Sequence, residues 1–513
     1  MIRNETERVI ARARTRVESQ NGATKHGAQV SAASRPALAD FGHVLTPTDW
    51  RQDLLPSLLR PTAEMNSTAA GFGGAVNPLA NPSPSLEAIA ICFFVNNYVS
   101  FPSGPSPGFL SYIISALEPD SPGSSLVKSA VQAVGLASLA STTGGGAELT
   151  HKSWVYYMET SRQISQDLAE PAKAKQDSTL IVIILFSLFE AITCIGFSSL
   201  DAWKQHVEGA ASILLLRGSS QFETPTGRLI FHETIAHLVV ACSRMWQPFS
   251  PRIRMLRLAA ANFSLPSQPP WVLGCAHSDI MDLSAAVDCD KSVAFLEGSW
   301  ESLLLQALEL DGQIESFFEG LPAGWQFTRH KDILLDGNIF YDGTYHVYQN
   351  WWVIKIWCAM RASRIILHRI VYCLLHREAS IWAPQELAPG GSYAGLKIKS
   401  VGVIEAMRDD ILASIPQALG DVSSGSLSMG SNADGNMMSS RGTGRAAVAY
   451  FVLWWVYLAG ALTINPPETQ SWAAHCLRRI TSRFGILHAQ FLGNRLEMRQ
   501  VSFPIAGGSV CRI

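Results

Sequence analysis

From Leu86 onward the chain runs in apolar helical blocks separated by breakers. The first are EAIAICFFVNNYVSF, SPGFLSYIISAL and SLVKSAVQAVGLASLA. STTGGGAE follows as a break, and HKSWVYYMETSRQISQDLAE then runs to Pro171, where proline interrupts the pattern. Ser178 to Gly218 predicts two consecutive helices. In the second, Asp201 stands where an N-cap would accept free backbone N–H groups. Trp203, Val207, Ala210, Leu214 and Arg217 follow at helical spacing, and Gly218 is expected to supply a left-handed stop. Further helices are predicted around Ser299–Glu319, Tyr345–His376, Leu396–Leu412, Val448–Thr463 and Ser471–Glu497. Period-two alternation of β-branched residues is almost absent, so no sheet is predicted. The expected fold class is all-α: a large, irregular multi-helix domain.

Two stretches do not fit that pattern. Residues 1–85 open on MIRNETERVIARARTRVES, whose Val9, Ile10, Ala13 and Val17 lie on one side of a short amphipathic helix. Small polar and Pro/Gly-rich segments follow, which read as linker. Residues 420–445 include DVSSGSLSMGSNADGNMMSSRGTGR, too poor in apolar side chains to order itself, and read as a disordered insertion. The helical domain is therefore expected over 86–513.

Composition sharpens this reading. The 513 residues are 47% hydrophobic and only 16% charged, which implies helices buried on most of their circumference. A formal net charge of −2 gives no global attraction to nucleic acid or acidic lipid. The nine cysteines are scattered, no two closer than fourteen residues. Metal-ligand spacing is therefore missing, and reduced core thiols of a nuclear or cytoplasmic protein are expected. Leu180–Phe197 and Ala446–Ile464 are apolar enough to be mistaken for membrane spans. Yet the first carries Glu190, and the second has Trp454 and Trp455 at its centre rather than in an interfacial belt. Buried core helices are expected at both places, and no membrane association.

Sequence motifs for catalysis are weak. In HETIAH, His232 and His237 stand at i and i+5, about 140° apart on a helix, whereas the metalloprotease pair at i and i+4 is about 40° apart. Phosphate-binding loops, dinucleotide-binding glycine patterns and nucleophile elbows are missing. Acidic pairs occur at Asp279/Asp282, Asp332/Asp336 and Asp409/Asp410. Asp332, Asp336, Asp409 and Asp410 are the candidate catalytic carboxylates of an alternative reading, in which Mg²⁺ holds a diphosphate. Mg²⁺ needs several oxygens converging on one point, and a single pair does not provide them. Arginines gather at Arg252/Arg254/Arg257 and Arg478/Arg479/Arg483, which read as solvent faces in a chain of balanced charge.

WKQHVEGAASILLLRG (Trp203–Gly218) resembles the W-x-x-H-x-x-G-A…R-G stretch in the regulatory, or middle homology, region of fungal zinc binuclear-cluster transcription factors. Trp203, His206, Gly209, Ala210, Arg217 and Gly218 are the matching positions. DSTLIVIILFSLFEAIT before it, and HVYQNWWVIKIWCAMRASRIILHRIV with Trp352, Trp357, Arg361, Arg364 and His368 after it, resemble two further helices of that region. RDDILASIPQALG, with Leu412 where the family has cysteine, and SWAAHCLRRITSRFGILHAQ resemble two more. These segments run in order through roughly Leu86 to Glu497. The six closely spaced cysteines of the family's DNA-binding module are missing, the first cysteine being Cys92. The chain reads as starting where that cluster would have ended.

The resemblance implies a nuclear transcriptional regulator, such as that of a secondary-metabolite gene cluster, without its own zinc cluster. Its helical body would serve protein partners, homodimerisation or a small-molecule effector, and would reach DNA only indirectly or through a segment missing from this chain. The matched positions carry no known catalysis and read as packing devices, and no cofactor or metal is expected. The alternative is an all-helical secondary-metabolite enzyme, such as a Mg²⁺-dependent class I terpene cyclase.

Overall fold

Ser85 is extended, and its hydroxyl accepts the Ala88 N–H at 3.2 Å. That caps α1 (Leu86–Tyr98) by supplying an acceptor to the unpaired first turn. The computed structural model describes residues 85–498 except 145, 195, 246, 264–267, 288–298, 333 and 423–444. The expected N-terminal helix and linker, nearly all of the expected insertion at 420–445, Cys289 and Cys511 lie outside the described residues.

After α1 a strap of residues 99–111 leads into α2 (Tyr112–Ala116), α3 (Ser124–Thr143) and α4 (Gly146–Asp167). The short α5 (Pro171–Ala174) then precedes α6 (Asp177–Ile192) and α7 (Phe197–Arg217). α3 packs on α1, α4 and α6, and α6 packs on α7. Every residue of α6 from Ser178 to Ile192 is buried, so its apolar run is a core helix. α7 starts a turn earlier than expected. Gly196 (φ 129°) makes the break, and Asp201 is exposed inside the helix instead of capping it. Packing explains the difference: Ser199 and Leu200 are buried, which extends the helix through a stretch that looks like a loop. Gly218 does end α7 at positive φ (64°), its N–H returning to Leu214 O.

α8 (Pro225–Met245), α9 (Pro251–Ala260) and α10 (Pro269–Val287) each begin at a proline, which has no N–H to leave unsatisfied in the first turn. α11 (Ser299–Glu319) has the predicted bounds. A two-stranded antiparallel hairpin that the pattern did not predict comes next, β1 (Phe327–Lys331) pairing with β2 (Thr344–Tyr348). It displaces the start of the next helix from Tyr345 to Trp351. One face of it is aromatic: Phe327 lies 4.5 Å from the His346 ring and 5.1 Å from that of Tyr348.

Asn350 caps α12 (Trp351–Arg377) by accepting Val353 N–H. α13 (Ala379–Trp382), α14 (Ser392–Ala413), α15 (Ile415–Leu419), α16 (Arg445–Gly460), α17 (Pro467–Phe484) and α18 (Leu487–Glu497) complete the described chain. The single helix expected over Ser471–Glu497 is broken at Gly485, which takes the left-handed conformation (φ 68°). α12 packs on α10, α11, α14 and α16, while α16 also packs on α1, α15, α17 and α18. All residues of α16 from Ala446 to Gly460 are buried. Among the described residues no helix is long and apolar enough to cross a membrane, and Trp454 and Trp455 lie in the protein core.

Candidate functional site

The motif residues of α7 are buried ties between helices. Trp203 is fully buried, donates its indole N–H to Tyr450 OH on α16 at 3.0 Å, and lies 5.4 Å from the Trp454 ring. His206 Nε2 is 3.2 Å from Tyr157 OH on α4, and that hydroxyl donates to Glu190 Oε1 on α6 at 3.0 Å. Three helices thus share one polar knot inside an aromatic wall of Trp154, Phe186 and Phe189. Gly209 and Ala210 are buried on α7, and Arg217 donates to Asp177 Oδ1 at 2.5 Å.

α12 carries two further knots. Arg361 is fully buried and donates to Tyr348 OH (2.6 Å) and Ser414 Oγ (2.9 Å), with its Nε 3.5 Å from Asp410 Oδ2. Arg364 and His368, one turn apart, both reach Asp311 on α11: Arg364 Nε to Oδ1 at 2.7 Å and His368 Nε2 to Oδ2 at 3.0 Å. Burial alone would raise the Asp311 pKa, but the hydrogen bonds from His368 and Arg364 outweigh it and hold the carboxyl at about 2.

The candidate carboxylates are engaged separately. Asp410 is bound by Arg329 at 2.5 Å as well as facing Arg361 and His346. Asp409 accepts from Arg408 at 2.8 Å. Asp332 and Asp336 are exposed in the hairpin connection, where each closes a turn by accepting a backbone N–H two residues on, from Leu334 and Asn338. Asp282 pairs with Arg254. Among the described residues no group of three or more His, Cys, Asp or Glu side chains is placed to hold a metal ion.

HETIAH behaves as its spacing implies. His232 is exposed and His237 buried on the same helix. The residue between them is the unexpected one. Glu233 is buried and accepts from Tyr112 OH at 3.0 Å. Lys355 of α12 is buried opposite, its ammonium 3.6 Å from the Phe451 ring centroid and 4.5 Å from that of Trp352. Burial pushes the Glu233 carboxyl up and pulls the Lys355 amine down, and each offsets part of the other's shift. Burial, with Lys355 adding to it, lowers His237 to about 3. In the sequence this cluster shows only as a lysine inside the apolar run WWVIKIWCAM and a glutamate between apolar helix positions. No protein-family model, no curated protein and no solved structure matches the chain.

Proposed function

We propose that this helical body is the regulatory module of a transcriptional regulator. It acts in the nucleus through protein partners, or through a DNA-binding segment outside this chain. One observation supports the reading: the polar side chains on which the family resemblance rests hold helices to one another. Trp203 ties α7 to α16, His206 meets α4, and Arg217 reaches the start of α6. Arg361 ties α12 to Ser414 after α14, and Arg364 with His368 ties α12 to α11. Such a body would respond as a unit to a partner or effector, because the ties run between helices distant in sequence. The near-neutral net charge of −2 suits protein contact better than autonomous contact with a polyanion.

The test is a reporter assay in which the chain is fused to an unrelated DNA-binding domain. Reporter output raised or lowered relative to that domain alone is the expected result. Output equal to the domain alone, together with Mg²⁺-dependent turnover of a prenyl diphosphate by the purified protein, would replace the regulator with an all-helical cyclase.

A further inference from the structure

The apolar runs of α6 and α16 are enclosed throughout, from Ser178 to Ile192 and from Ala446 to Gly460. α1 has the same kind of sequence but not the same cover. Ala88 to Val95 reads AIAICFFV, eight consecutive apolar side chains. At 3.6 residues per turn, eight residues point in every direction around the axis. A helix that is apolar all round is normally a buried one. Yet of α1 only Ala90, Phe94 and Tyr98 are buried. Those three, four residues apart, share the side that packs on α3, where Gly135 lets the two helices close. The opposite side is open. Ala88, Cys92 and Asn96 are exposed, Ile89 is 39% exposed, and Phe93 is half-buried. Ile89, Cys92 and Asn96 follow at i, i+3 and i+7, so they form one stripe.

Apolar exposure continues at the rim of this stripe. Phe101, three residues beyond α1 in the strap, is 62% exposed. On α4, Lys152 and Tyr156 reach Glu87 of α1 at 3.9 Å and 3.4 Å. Val155, three residues from Lys152 and so on its side of α4, is 38% exposed. Charge limits what can cover such a face. Glu87 is the sole charged residue of α1, and Lys152 stands against it. A strongly acidic or basic partner finds no counter-charge here. A second copy finds no like charge to repel it, which is what a patch that meets itself requires.

We infer that the open face of α1 is a two-fold interface with a second copy of this chain. The two α1 helices lie against each other about an axis at mid-helix. Cys92 is the seventh of the thirteen residues of α1, so it comes to lie beside the Cys92 of the second copy, with Ile89 of each helix packed next to it. Packed helices sit about 8–10 Å apart, which brings the two thiols within reach of a short cross-linker. A thirteen-residue helix is about 20 Å long and about 10 Å wide. With its rim, such a face covers a few hundred Å², below the roughly 800 Å² per partner of a standard interface. The dimer is therefore reversible, with a dissociation constant on the order of micromolar.

Analytical ultracentrifugation of the purified full chain between about 1 and 100 µM tests this. The mass is expected to rise with concentration and level off at twice that of one chain. I89E puts a charge on the open face and should weaken association by about tenfold or more, with the unfolding midpoint unchanged. Should I89E not fold, N96R makes the same test at an exposed position. A short bis-maleimide should link two wild-type chains, and C92S should lose that product; among the described cysteines Cys92 is the exposed one. A mass that stays that of one chain overturns the inference and leaves α1 to residues 1–84 or to a different protein. So does a mass that climbs past two chains without levelling, association that I89E and N96R leave intact, or a linked product that survives in C92S. The dimer is read on purified protein and the regulatory function in the reporter assay, so either can fail alone.

Discussion

The indole of Trp203 donates to the hydroxyl of Tyr450 across 247 positions of sequence. It joins the motif-bearing helix α7 to α16, which is buried from Ala446 to Gly460. Both side chains are buried, so the bond is made away from competing water, and losing its acceptor is felt. Tyr450→Phe keeps the ring and its packing. It is expected to lower stability by about 1–2 kcal/mol, read as a reduced midpoint of urea unfolding with an unchanged slope.

Arg361 presents a stronger case. Its guanidinium is fully buried and joins Tyr348, Ser414 and Asp410, while lying 4.9 Å from the Phe327 ring and 5.2 Å from that of Trp357. Arg361→Ala is expected to cost about 3–5 kcal/mol, the range for breaking a buried ion pair at one partner. Arg361→Lys should recover little of it, because an ammonium cannot reproduce the planar fork. Yield of soluble protein and the denaturation midpoint are the measurements.

Two glycines should respond in opposite directions. At Gly135 in α3 an added Cβ would stand 2.2 Å from the Ala90 carbonyl oxygen of α1, a backbone atom that cannot turn aside. Gly135→Ala should force the two helices apart and destabilise by about 1–3 kcal/mol. Gly312 is an exposed position inside α11 with nothing within 4 Å of its added Cβ. Gly312→Ala should stabilise by about 0.5–1 kcal/mol through helix propensity alone. Paired unfolding curves distinguish the two effects.

Acid should weaken the fold earlier than its carboxylates alone would imply. Burial first, then neighbouring cations, holds His237 at about 3 and His346 at about 2; burial likewise holds His277 at about 4. In the unfolded chain each protonates near the ordinary value of about 6.5. Below that pH the unfolded state takes up protons that the folded state refuses. Stability is therefore full above about pH 6.5 and declines beneath it, by up to about 1.4 kcal/mol per pH unit for each histidine. Asp311, held at about 2, contributes acid loss only below the ordinary carboxyl range. Unfolding midpoints measured between about pH 8 and pH 5 should fall in the lower half of that window. A flat profile would mean that these imidazoles are hydrated or protonated in the fold.

The helices were legible because each repeats its own apolar spacing. α11 has its predicted ends, and the apolar runs of α6 and α16 are core helices. The hairpin was not legible: in FTRHK and TYHVY the buried and exposed positions do not alternate cleanly, and the pairing depends on Phe327 finding His346 and Tyr348. Asp201 looked like a cap because nothing local reveals that Ser199 and Leu200 are covered by other helices. HETIAH was dismissed as a metal site from helix geometry, yet the burial of Glu233 opposite Lys355 depends on two helices more than a hundred residues apart. Of the site, sequence named the motif residues of α7 and α12, but not their partners Tyr450, Tyr157 and Asp311, nor Lys355. Which of them meet is decided by tertiary contact.

The burial of α16 from Ala446 to Gly460 constrains how the protein can be handled and made. The helix is encoded after residue 444, yet it fills the space between α1, α12 and α17. Fragments ending before it would present the apolar faces of several helices to solvent. Ribosomes must therefore deliver most of the chain before a stable body exists, and chaperones would shelter the earlier helices meanwhile. A premature stop anywhere upstream of Arg445 should yield aggregate rather than a smaller working version.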